Sequence, residues 1–303
     1  MEQRKGIWLA VGGYVFWGVV PVYWKLLDSV PALEILAHRI VWSVPLLLIV
    51  IAARRRIGIL ARDLSNSATA GTALIAGVLL SVNWGVFVWA ITADRIVEAS
   101  LGYFINPLVS VGLGVLVLRE RLRPAQRLAI GFATLGVVGM AVLTGVAPWV
   151  SLTLAFSFGF YGLLKKRESA AAPLEGLFME SLFVSAPAVA YLVIAAAEGT
   201  GALGSSPSMT FLLILAGAVT VFPLVLFGAA AQRIPLATLG VLQYLTPTLQ
   251  LLVGVAVYHE RVSGARWFGF AFVWVALAIY SSDNLRTIRA AASAPDETIR
   301  RSD

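Results

Sequence analysis

Apolar residues fill the chain in long blocks, and polar residues collect at the joints between them. Runs free of Asp, Glu, Lys and Arg cover residues 64–93, 99–118, 128–164, 199–232 and 234–258. A helix that crosses a bilayer needs about 20 apolar residues. The pattern predicts ten helical spans, near residues 7–26, 33–52, 69–93, 97–118, 125–144, 149–165, 173–195, 209–231, 236–258 and 265–282. Nowhere do apolar and polar residues alternate over the roughly ten-residue segments of a membrane β-barrel. Most joints are short, so successive helices are expected to be antiparallel neighbours.

One stretch occurs twice. Residues 93–121 read ADRIVEASLGYFINPLVSVGLGVLVLRER, and residues 231–261 read AQRIPLATLGVLQYLTPTLQLLVGVAVYHER. Both open with Ala-x-Arg-Ile, pass through Ala-(Ser/Thr)-Leu-Gly, reach a proline, and close in Glu-Arg. The offset is 138 residues from Ala93 to Ala231 and 140 from Pro107 to Pro247, so the second copy carries two extra residues just before its proline. A self-match of this length marks a duplication. It extends to Phe16-Trp17-Gly18 against Phe160-Tyr161-Gly162, and to Glu34 against Glu175. The ten spans therefore divide into two sets of five. Five is odd, so the second set enters the membrane from the opposite side. An all-α, inverted five-plus-five repeat places its substrate site at the repeat interface. The expected units are residues 1–144, residues 145–283, and a polar tail, 284–303, without order of its own.

Composition and charge sharpen this picture. The chain has 303 residues, of which 59% are hydrophobic and 13% charged, and a mean hydropathy of +0.86. A soluble domain holds about a quarter charged residues. The net charge is +7. With the N-terminus in the cytoplasm, 18 of the 23 Lys and Arg residues fall on the cytoplasmic side and four on the other, leaving Arg39 inside a span. That bias gives the orientation, with both termini cytoplasmic, and reads the charge as topology rather than nucleic-acid binding. The N-terminal apolar run lacks an Ala-x-Ala cleavage site and is read as an uncleaved first span. Cysteine is absent, which removes thiol and disulfide chemistry. No phosphate-binding Gly-rich loop, zinc-binding His-Glu-x-x-His or Gly-x-Ser-x-Gly is present. No catalytic residue, metal site or cofactor is expected.

Charges within spans are costly and usually face a partner or a wet cavity. The second span carries Glu34, His38 and Arg39; Glu34 and His38 share a face. Arg39 suits a carboxylate anchor and His38 a proton carrier, although internal ion pairs would also explain them. Glu180, the repeat counterpart of Arg39, suits a coupling group or an amine partner, or a structural one. The twin prolines, Pro107 and Pro247, predict helix breaks, because proline leaves the carbonyl four residues earlier unpaired. Around them stand Tyr103, Asn106, Gln243, Tyr244 and Thr246. Tyr14, Trp17, Asn83, Trp84 and Tyr161 supply aromatic walls and amides suited to an amphipathic organic solute.

These strings resemble a known family. Trp17-Gly-Val-Val-Pro-Val-Tyr-Trp-Lys25, Pro31-Ala-Leu-Glu-Ile-Leu-Ala-His-Arg39, Val82-Asn-Trp84, residues 98–108 and residues 242–250 are similar to those of the drug/metabolite transporter superfamily. Within it the chain resembles proteins with the EamA domain, of RarD type. The resemblance covers nearly the whole chain except its tail. It implies a central cavity lined by spans one to four and six to nine. It further implies a bacterial inner-membrane exporter of amino acids, aromatic ones included, as in related proteins of the YddG type. A small-molecule substrate and the lipid bilayer are the expected partners, with the monomer functional. Efflux of drugs or other metabolites and channel-like passage are the alternatives, and an intramembrane enzyme is disfavoured.

Overall fold

The computed structural model describes residues 2–93, 95–145, 149–168, 173–259 and 262–292. They form fourteen helices, and no strand occurs among them. The first five expected spans are α1 (Glu2–Val19) continued by α2 (Pro21–Lys25), α3 (Ala32–Ala53), α5 (Ser67–Thr92), α6 (Ile96–Leu116) and α7 (Pro124–Thr144). The second five are α8 (Trp149–Arg167), α9 (Pro173–Phe183) with α10 (Ser185–Ala197), α11 (Pro207–Ala231), α12 (Leu236–Gln243) with α13 (Leu245–Ala256), and α14 (Gly264–Ala292).

The pattern of apolar blocks did not reveal α4 (Ile57–Ser65), a short helix that buries Leu60 alone. The expected disordered tail is also corrected. Helix α14 runs on to Ala292, because no proline or glycine interrupts 283–292. Residues 293–303 lie outside the described part.

Eight helices are long and apolar enough to cross a bilayer, or nine when the bent pair α9–α10 counts as one. Helix α8 is not among them. Its 19 residues would reach about 28 Å, but Ser151, Thr153, Ser157, Tyr161 and the Lys165-Lys166-Arg167 end lower its hydropathy. It packs inside the bundle all the same, against α6 and α5.

Contacts across the molecule come in matched pairs. If α1 answers to α8, and so on along the two halves, then α6 on α8 corresponds to α1 on α12–α13. Likewise α3 on α11 corresponds to α5 on α9, and α1 on α11 to α5 on α8. Three self-related pairs remain: α3 with α9–α10, α6 with α12, and α7 with α14. The last pair shares one core with α6 and α12, in which Ala129, Ala133, Val137, Met140, Val273 and Ala276 meet Leu101, Phe104, Ala237 and Val241. Two helix exits match as well. Arg119 (φ 56°) and His259 (φ 53°) both adopt the left-handed conformation that ends a helix, at the 140-residue offset.

Large apolar side chains such as Trp8, Ile49, Leu116, Val142 and Phe211 face outward. An outward apolar surface is what a bilayer requires, since lipid rather than water is the solvent.

Candidate functional site

The proline breaks come first, because they set the backbone near the centre. Within the described spans the helix breaks at Val20, Val184 and Tyr244. Pro21 follows the first directly and occupies the first helical position of α2, where a missing N–H costs nothing. Pro187 and Pro247 each stand three residues beyond a break. Each deprives the carbonyl four residues earlier of its donor. The α9–α10 bend is 49°. Pro247 thus accompanies a break as expected, whereas Pro107 does not. Helix α6 runs unbroken through Pro107. Beside it, the carbonyl of Phe104 accepts the Tyr244 hydroxyl at 3.1 Å, which ties α6 to the break between α12 and α13. The pseudo-symmetry therefore fails at the prolines, and the two extra residues of the second copy lie where α12 gives way to α13. The two repeated stretches meet here. A Cβ on Gly240 would stand 2.7 Å from the Pro107 carbonyl oxygen and 2.9 Å from Ser110 Cβ.

Arg39 lies one residue past His38 on α3, which turns it to a different side of the helix. Its Nε donates to Thr220 Oγ1 at 2.9 Å. Its guanidinium lies between two indoles, with Cζ 4.8 Å from the Trp24 ring centre and 4.6 Å from that of Trp84. Cation–π contacts of this kind hold a charge in an apolar setting. They do not neutralise it. Among the described residues no carboxylate reaches ion-pair distance of Arg39, and Glu34 on the same helix is taken. Glu34 faces His38 Nε2 at 3.7 Å and accepts the Ala202 N–H at 2.6 Å. Arg56 holds Glu175 at 2.9 Å.

Beyond Trp84 and Thr220 lies a narrow, partly enclosed cleft between α3, α5, α9 and α11, with a cavity volume of about 10 Å³, room for about one water molecule. Ser43, Ser81, Ser181 and Glu180 are its other polar groups. Glu180 is fully buried at its edge and pairs with the equally buried Lys165, which also binds Glu168 at 3.0 Å. Trp84, Glu180 and, through its contacts, Arg39 are the predicted site residues that the structure brings to this cleft.

His38 belongs elsewhere. Its Nδ1 accepts the Trp42 indole N–H at 3.1 Å, so the ring is held between Trp42 and Glu34. Tyr14, Trp17 and Tyr161 do gather, around Phe227 and Phe158, with ring centres 5.1–6.3 Å apart. Tyr14 is 1% exposed and Tyr161 is 0%, so the cluster is packed core. Tyr14 donates to the Leu239 carbonyl at 3.0 Å. Thr246 donates to the Tyr14 carbonyl at 3.1 Å. Asn83 ties α5 to α8 through the Leu154 carbonyl at 2.8 Å and Ser157 at 3.0 Å. Tyr103 packs edge-on to Phe87. Asn106 and Gln243 are buried at the α6 and α12 faces; Asn106 Oδ1 makes no hydrogen bond among the described residues.

Sequence reasoning missed Trp24, Thr220, Lys165 and Phe227. Trp24 reads as an interfacial residue and Lys165 as the first of a topology-setting basic run. A lone threonine or phenylalanine in an apolar helix carries no signal of its own. Among the described residues no group of three His, Cys, Asp or Glu side chains could hold a metal ion.

The whole chain has relatives. The model of the EamA-like transporter family matches it twice, over residues 4–142 and 146–282. It is 45% identical over 289 residues to Protein RarD of Streptomyces exfoliatus, covering 95% of this chain and 91% of that one. It is 42% identical over 296 residues to the uncharacterized transporter YojE of Bacillus subtilis, covering 96% and 98%. A crystal structure with 19% identity superposes at a TM-score of 0.70 over 90% of this chain and 96% of its own, which shows the fold alone. With the EamA-like transporter family model matched in both halves and YojE named a transporter, the chain is a multi-pass membrane transporter of the EamA-like family and not an enzyme.

Proposed function

We propose that this protein exports small amphipathic metabolites, amino acids first and aromatic ones among them, across the bacterial inner membrane. The working units are residues 1–144 and 145–283, which rock about the central cleft in alternating access. Both termini lie in the cytoplasm, and the monomer is the functional form. One observation carries the substrate class. A guanidinium without a carboxylate partner touches Trp84 and Thr220 at one side of a cleft, and Glu180 stands in the same cleft. A zwitterion would bring a carboxylate to Arg39 and an ammonium to Glu180, whose one cationic partner, Lys165, is shared with Glu168. Arginine's fork matches a carboxylate, a buried acid attracts an ammonium, and indole walls suit an apolar side chain. The paired matching of helix contacts supports the two-unit reading, and the lysine and arginine bias supports the orientation.

Counterflow decides this. Purified protein in liposomes preloaded with individual amino acids is expected to take up the labelled form of at least one of them in a saturable way. Absence of counterflow across the whole panel would end the amino-acid reading. Non-saturable flux would favour a channel.

A further inference from the structure

A second cavity lies at one end of the bundle, apart from the cleft. About 340 Å³ is open between the start of α1, the α6–α7 joint, the end of α8, the α11–α12 joint and the far part of α14. These are places where apolar spans stop, at Glu2, Leu116, Pro124, Leu236 and Asp283. The cavity therefore lies at the depth of lipid headgroups, not of acyl chains. Its volume falls within the range of small-molecule sites, about 300–1,000 Å³.

Its charges do not balance. Four cations line it, Arg121, Arg123, Lys166 and Arg233, with one acid, Glu120. Two further acids reach in: Asp283 holds Arg123 at 2.6 Å, and Glu2 holds Arg233 at 3.1 Å. Both oxygens of Glu120 are used on the N–H groups of Leu236 and Ala237, where its charge answers the α12 dipole. Lys166 donates to the Ile234 carbonyl, which is neutral. Arg121 forms no hydrogen bond or ion pair among the described residues. Four cations against three acids leave one positive charge in excess. Neighbouring turns add to it, since Arg4, Lys5, Arg119, Arg127, Arg167 and Arg286 all stand exposed. Lys165 does not contribute, because Glu168 and Glu180 hold it. Neutral donors are also present. The Gln126 side-chain oxygen accepts the Arg123 N–H at 2.9 Å, which leaves its amide hydrogens to donate, and Gln3 stands opposite.

We propose that this cavity is a headgroup site for an anionic glycerophospholipid. Basic pockets between helix ends suit such headgroups, and one phosphodiester carries the single negative charge that the cavity lacks. Arg121 and Lys166 take the phosphate oxygens, while Gln3 and Gln126 meet headgroup hydroxyls. The acyl chains run beside α7 and α14, where Leu128, Leu135 and Val275 are exposed. Arg121 belongs to the first half and Lys166 to the second. A bound lipid thus ties the halves together on the face where Glu120 already caps α12. On the proposed orientation this is the cytoplasmic face. The site goes beyond the transport reading, because neither the cleft nor a transported solute enters it.

The full-length protein in detergent is titrated with dioleoylphosphatidylglycerol, dioleoylphosphatidylcholine or inorganic phosphate, and its melting temperature is followed. Phosphatidylglycerol is expected to raise it by about 3 °C or more, climbing with the logarithm of lipid concentration. Phosphatidylcholine, whose own ammonium cancels its phosphate, should leave it unchanged. Native mass spectrometry should retain one phosphatidylglycerol per chain. Arg121→Gln with Lys166→Gln should weaken binding about 10-fold or more, the worth of one charge-assisted hydrogen bond. Arg54→Gln with Arg55→Gln removes as much charge from the exposed α3–α4 joint and should keep the response. Equal responses to the two lipids, or equal losses in the two double variants, overturn the proposal, since diffuse surface charge then explains the binding. Inorganic phosphate that protects as well as phosphatidylglycerol overturns the lipid assignment. If the cavity double variant fails to fold, Arg121→Gln alone, at an exposed position, carries the test.

Discussion

The carboxylate of Glu120 accepts the backbone N–H of Leu236 at 2.7 Å, and that of Ala237 at 2.9 Å with its other oxygen. Glu120 closes the first copy of the repeated stretch, and Leu236 opens α12 within the second. The acid therefore caps a helix of the other half, satisfying two of its orphan donors and meeting the positive end of its dipole. Glu120→Ala is expected to cost about 1–3 kcal/mol, as loss of a partly buried charged hydrogen bond does. Thermal unfolding in detergent reads it. Glu120→Gln should recover part of the loss, since its amide oxygen can still accept. Equal melting of wild type and Glu120→Ala would remove this role.

Arg39 is predicted to bind the substrate carboxylate. Arg39→Ala should weaken counterflow of carboxylate-bearing substrates roughly 10- to 100-fold, the worth of one charge-assisted hydrogen bond or two. Arg39→Lys should rescue little. An ammonium neither stacks between Trp24 and Trp84 in the same way nor offers a bidentate fork. A lysine variant with wild-type counterflow would show that only the charge matters.

Where the two stretches meet, space is already full. Gly240→Ala would push a methyl into the Pro107 carbonyl and Ser110. Overpacking against backbone is expected to cost about 1–3 kcal/mol. Tyr244→Phe removes a buried hydrogen bond to the Phe104 carbonyl, expected to cost about 0.5–1.5 kcal/mol. Both are read by melting in detergent. The two together should be non-additive, because they share one contact between α6 and α12.

Absence of cysteine makes the orientation simple to test. Arg62→Cys on α4 and Ser208→Cys on α11 both place a thiol at an exposed position. With the termini cytoplasmic, a membrane-impermeant maleimide added to intact cells should label position 208 and spare position 62. The reverse pattern would invert the whole assignment.

Much of the architecture is written locally. Span length, the duplicated Ala-x-Arg-Ile, Leu-Gly and Glu-Arg landmarks, and the pairing of halves are all properties of the string. Hydrophobic blocks must be about one bilayer long whatever they pack against. Helix α4 escaped because its nine residues are too short and mixed to stand out. Helix α8 was read from the charge-free run 128–164, although its polar residues lower its hydropathy. The in-span charges were legible as unusual, and Arg39 and Glu180 did fall beside one cleft. Their neighbours were not legible, since Thr220 and Trp24 are far from Arg39 along the chain.

The sequence by itself determined that this is a membrane-embedded helical duplication with a few expensive polar groups inside. It did so because bilayer thickness and the cost of buried charge act on each segment alone. Only the tertiary structure decided which of those groups are spent on one another. His38 and Glu34 are held in one contact, Tyr14 and Tyr161 are packed into the core, and Pro107 sits in a continuous helix that Tyr244 touches at the Phe104 carbonyl. Arg39 keeps its charge unanswered, and Glu180 shares its lysine with a second acid. Pairing is a matter of distance between helices remote in the chain, and no local pattern carries that information.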